Sequence, residues 1–149
     1  MKFFFPVVLL SVLALSGCNC NPPNCEPGVA SCACKTGDVC NEGLACVDSK
    51  CVPPVAAGLQ VDAAARGCEL LLTESGTSTV VSANFKNGVK GTFIRQPPRV
   101  AVTFVSGGDT AIGNNVELGL GGPATGVTVT KSSCVDVKGA RVGGSVSLR

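Results

Sequence analysis

Cysteine dominates the chemistry this sequence could perform. There are ten cysteines, with no histidine, tyrosine or tryptophan. Seven of them, Cys20, Cys25, Cys32, Cys34, Cys40, Cys46 and Cys51, crowd between residues 20 and 51, while Cys68 and Cys134 stand apart downstream. Clustered thiolates can hold zinc in a tetrahedral site. Here there is no Cys-x-x-Cys pair and no histidine to complete one, so no metal is expected. The lack of histidine also rules out a Ser-His-Asp or Cys-His arrangement and removes the usual general base near neutral pH. The downstream acids Asp62, Glu69, Glu74, Asp109, Glu117 and Asp136 form no recognisable pair and read as solvated surface charge. Gly119-Leu120-Gly121-Gly122-Pro123 lacks the spacing and the lysine of a phosphate loop and reads as a turn. The sequence therefore predicts neither catalysis nor a cofactor.

The cysteines must next be placed in a compartment. Met1-Lys2 is followed by an apolar run from Phe3 to Leu15, then by Ser16-Gly17-Cys18 and the polar, proline-bearing stretch from Asn19. A positive start, an apolar centre and small residues at its end make a secretory signal. The run is shorter than the roughly 20 residues a spanning helix needs. Leu15-Ser16-Gly17-Cys18 resembles the lipobox of bacterial lipoproteins. That resemblance implies cleavage after residue 17, with Leu15, Ser16 and Gly17 read by the signal peptidase. It also implies diacylglycerol on the Cys18 sulfur, with fatty acids such as palmitate anchoring the chain. Asn19 in place of aspartate after the cysteine is compatible, by the same analogy, with an outer-membrane or surface location in preference to the inner membrane.

Exported chains keep disulfides, and residues 25 to 52 hold too few apolar side chains to order themselves otherwise. The text from Cys32 to Cys51, with Gly37, Cys40, Gly43-Leu44 and Cys46, resembles the short cysteine-rich modules of Dickkopf-type and growth-factor-binding-protein-type proteins. The likeness implies a knotted architecture and a general habit of binding proteins, with no individual binding residue. Gly37 and Gly43 fit turns that want a positive φ. Ten cysteines less a lipidated Cys18 leave nine, an odd number. If Cys68 pairs with Cys134, then Cys25, Cys32, Cys34, Cys40, Cys46 and Cys51 close three bridges whose connectivity the sequence does not choose. Cys20 is then the odd thiol. It either joins two chains into a dimer or stays free or capped on the tether.

The elements that must position these groups follow from composition. Removal of residues 1 to 17 leaves 149 − 17 = 132 residues, enough for one ordinary domain and a small appendage. Loss of Lys2 turns 12 basic and 10 acidic side chains into 11 against 10. This balance supplies no field to gather nucleic acid, and the few rings left argue against base-stacking or sugar-binding platforms. The expected organisation is a signal peptide at 1–17, a lipidated tether at 18–24, a disulfide-rich module at 25–52 and a proline-stiffened linker at 53–66. An all-β domain at 67–149 completes it. Short alternating runs closed by Gly, Pro or Asn predict strands at Glu69–Thr73, Thr79–Phe85, Val89–Arg95, Arg99–Ser106, Val116–Leu120, Val127–Lys131 and Arg141–Leu148. Asn87-Gly88 marks a hairpin. Seven strands suggest an antiparallel β-sandwich of immunoglobulin-like size, with a Cys68–Cys134 bridge tying its two ends together.

The functional expectation is a membrane-anchored, non-catalytic structural or protein-binding component of the cell envelope. Its partners would be the membrane, through its lipid, and another envelope or extracellular protein. The alternative is a tethered inhibitor or ligand-capture protein that acts through an exposed loop of the module such as Asn41 to Leu44.

Overall fold

The computed structural model describes residues 25–143 and 146–149. The expectations for Leu15, Ser16, Gly17, Cys18 and Cys20 lie outside the described residues. What is described is a small disulfide-rich module followed by an antiparallel β-sandwich.

Three bridges and one hairpin hold the module. Strands β1 (Ala45–Val47) and β2 (Lys50–Val52) pair antiparallel through the two-residue turn Asp48-Ser49. Both turn residues have positive φ, 48° and 61°, the backbone that matches the twist of a tight hairpin. Gly37 and Gly43 also take positive φ, 83° and 79°. The Cys51 N–H donates to the Cys32 carbonyl at 2.9 Å, and the Cys51 carbonyl accepts from the Ser31 N–H at 2.7 Å. Within residues 25–52 the buried apolar side chains are Cys32, Ala45 and Cys51, so covalent links stand in for a core.

Nine further strands among the described residues build the sandwich. They are β3 (Val55–Gln60), β4 (Gly67–Glu74), β5 (Thr79–Phe85), β6 (Val89–Gln96), β7 (Arg99–Ser106), β8 (Val116–Gly121), β9 (Val127–Val135), β10 (Arg141–Val142) and β11 (Ser147–Leu148). One sheet runs β10-β9-β4-β7-β6 and the other β11-β3-β8-β5. Period-two alternation explains why they face each other. Cys68, Leu70 and Leu72 of β4 and Val100, Val102 and Phe104 of β7 are buried from one side, as are Ala57 and Leu59 of β3 and Val116, Leu118 and Leu120 of β8 from the other. All belong to one continuous apolar cluster.

Several expectations are corrected. The segment 53–66 is not a linker, because Val55–Gln60 is a strand flanked by β8 and β11, which leaves only Pro53-Pro54 between module and sandwich. Its inward residues, Ala57 and Leu59, alternate with the small Ala56 and Gly58, so the apolar signal was diluted. Arg141–Leu148 is not one strand. Gly143 follows β10, which pairs with β9, while β11 pairs with β3 in the other sheet. Asn87-Gly88 does form the tight turn, with φ of 51° and 81° and the Val89 N–H donating to the Lys86 carbonyl at 3.0 Å. It is not a hairpin, however, since β5 pairs with β8 and β6 with β7, and the turn carries the chain between sheets. Gly119 to Gly121 end β8, and the turn begins only at Gly122.

Candidate functional site

All eight described cysteines are half-cystines. The bridges are Cys25–Cys32, Cys34–Cys46, Cys40–Cys51 and Cys68–Cys134. The last joins residues directly opposite each other on the neighbouring strands β4 and β9, so it staples adjacent strands instead of tying the ends of the domain. Within the module the Cys34 and Cys40 sulfurs approach to 3.8 Å, and those of Cys34, Cys40 and Cys51 lie within 4.8 Å of one another. Each is already bonded to another sulfur, and a cystine offers no thiolate to a metal.

The Asn41 to Leu44 loop, the segment through which an inhibitor would act, is a closed turn. The Leu44 N–H donates to the Asn41 carbonyl at 3.1 Å and the Asn41 N–H to the Gly28 carbonyl at 2.9 Å. Its backbone is spent on folding the module, not displayed in extended form.

A groove of about 820 Å³ lies where the module meets the sandwich. The approach depends on missing side chains. A Cβ on Gly121 would stand 2.6 Å from Ala45 Cβ and 2.7 Å from Thr79 Oγ1, so glycine at this position lets β1 settle against the end of β8. Val39 and Leu44 of the module face Val81 and Phe93 of the sandwich across the groove, with Asp38 and Asp48 on the module side and Arg95 opposite. Val39 is 53% exposed, which leaves an apolar strip open to solvent.

Glu74 organises the sandwich wall. Its Oε1 accepts from the Arg95 Nε–H and from the Val80 N–H, each at 2.7 Å, and its Oε2 accepts from Arg95 Nη2 at 3.0 Å. The carboxylate is only 5% exposed in its side chain, and burying it is tolerable because three donors satisfy it. This corrects the reading of Glu74 as solvated charge. The signal was present: Glu74 continues the inward phase of Cys68, Leu70 and Leu72. The Lys86–Glu117 pair, by contrast, is an exposed surface contact, with the two side chains 43% and 32% accessible.

No family model matches this chain, and no curated protein matches it in sequence.

Proposed function

We propose that this chain is an exported, lipid-anchored protein that holds a non-catalytic binding unit at the cell envelope. One observation carries the reading: every described cysteine is closed in a bridge. Four disulfides in a chain of this size belong to an oxidising compartment, and the route to that compartment is the charged and apolar start ending at Leu15-Ser16-Gly17-Cys18. A bacterial lipoprotein signal of this type places the lipid on Cys18, leaves residues 19 to 24 as the tether and presents the module and sandwich beyond it. Further support comes from the chemistry on display. The one buried carboxylate among the described residues, Glu74, is committed to Arg95 and Val80. The groove is suited to contact more than to reaction.

The test is metabolic labelling with a tagged fatty acid. The natural chain is expected to take the label and sediment with membranes, and Cys18→Ala to lose both properties while keeping its four bridges. A natural chain that stays unlabelled and soluble contradicts the proposal.

A further inference from the structure

Among the described residues β5 and β6 are each the outer member of their sheet, so this side of the sandwich carries two unpaired strand edges. The groove lies along this side, bordered by Val81 of β5, Phe93 and Arg95 of β6 and the module wall.

Hydrogen-bond phase decides which backbone groups of β6 lie on its outer edge, and of its residues Phe93 and Arg95 border the groove. The Glu74 N–H donates to the Pro98 carbonyl and the Ser106 N–H to the Arg66 carbonyl, both at 2.8 Å, so the even-numbered residues across β7 turn their backbone groups to β4. The odd-numbered Arg99, Ala101 and Thr103 therefore turn to β6, where they oppose Gln96, Ile94 and Thr92. Antiparallel alternation leaves the amides and carbonyls of Gly91, Phe93 and Arg95 directed away from the sheet.

The two edges are treated differently. On β5 the Val80 N–H is plugged by the Glu74 carboxylate. On β6 the blunting devices, Lys90 and Pro97, sit at the ends, while Thr92, Phe93 and Ile94 between them are strand formers and Ile94 is 62% exposed. The groove is also charged on one wall. Asp38 and Asp48 line it from the module, and the cation opposite, Arg95, is already held by Glu74.

We propose that this groove takes an extended segment of a partner protein, which adds to the free edge of β6 as a sixth strand and directs a basic side chain at Asp38 and Asp48. The inference rests on the binding role above and names its site and the class of its partner. Strand addition supplies affinity through the main chain, and the pockets beside it supply the preference.

The test uses the disulfide-intact protein and a blocked hexapeptide of one lysine followed by alternating threonine and valine. Two controls accompany it: the same peptide with glutamate for lysine, and the lysine peptide N-methylated at alternate backbone amides. Amide hydrogen exchange at Gly91, Phe93 and Arg95 is expected to slow at least tenfold with the lysine peptide. The glutamate peptide should bind at least tenfold more weakly, and D38N/D48N should erase that difference without altering the fold. Three results would overturn the inference: no slowing at millimolar lysine peptide, equal slowing by the N-methylated peptide, or protection without peptide that rises with protein concentration and marks a second copy as the occupant. Fatty-acid labelling of Cys18 is scored separately. A lost groove with an intact label thus leaves the tether standing, and a lost label with intact peptide binding leaves the groove.

Discussion

The module and the sandwich reach order by opposite means. In the sandwich, Leu72, Val80, Val100, Val102, Phe104, Ile112, Val116 and Leu118 are wholly or almost wholly withdrawn from solvent in a single cluster, so apolar burial supplies the driving force and one bridge reinforces it. In the module three bridges close loops with sequence separations of 7, 12 and 11, and almost nothing apolar is buried besides cysteine itself. The contrast shows where each region is vulnerable: the sandwich to cavities, the module to loss of its covalent links.

The sandwich core is where a single substitution is expected to cost most. Phe104→Ala removes a ring that is 1% exposed and packs 6.4 Å from the Phe85 ring, centroid to centroid. The expected cost is about 3–5 kcal/mol, read as a lower urea midpoint for the sandwich. Removing the Cys68–Cys134 bridge as a double alanine variant releases a loop of sequence separation 66. The expected loss is up to about 4 kcal/mol on the chain-entropy model, with the fold retained because the apolar cluster remains. Unchanged stability would show that the staple adds nothing to the core.

Removing Cys40–Cys51 should cost about 3 kcal/mol on the same model, a smaller figure with a larger local consequence. Exchange protection is expected to vanish across residues 25–52 while the midpoint of the sandwich moves little. Coordinated loss in both regions would mean that they fold as one unit. Glu74→Gln keeps the shape but weakens the hydrogen bonds to Arg95 and Val80. About 1–3 kcal/mol should be lost, with the effect concentrated at the end of β5 as faster exchange of the Val80 amide.

The same contrast explains what was legible in the amino-acid order. Strands built from branched residues, such as Arg99–Ser106 and Val116–Gly121, announce themselves because alternation and propensity agree. β3 was hidden because Ala56, Ala57 and Gly58 carry little apolar weight and two prolines precede them. Its place comes from pairing with β8, a contact more than fifty residues away that no local pattern encodes. The Asn87-Gly88 turn was legible as geometry but not as topology, since a turn of this kind fixes the local backbone and not which sheet each flanking strand joins. The cysteine-rich character of the module was plain, whereas its pairing required three dimensions. The groove was least legible of all: it exists because Gly121 lets Ala45 approach, and because Glu74 seals one edge and leaves the next one open.

Under the proposed function, export, lipidation and oxidation act together on one chain. Intact mass of the membrane-extracted protein, before and after reduction, tests all three at once. A polypeptide beginning at Cys18 is expected, heavier than its 132 residues (149 − 17) by the acyl groups of a lipoprotein, and lighter by two hydrogens for each of the four bridges until it is reduced. A full-length chain starting at Met1, without lipid and with no change in mass on reduction, would contradict it.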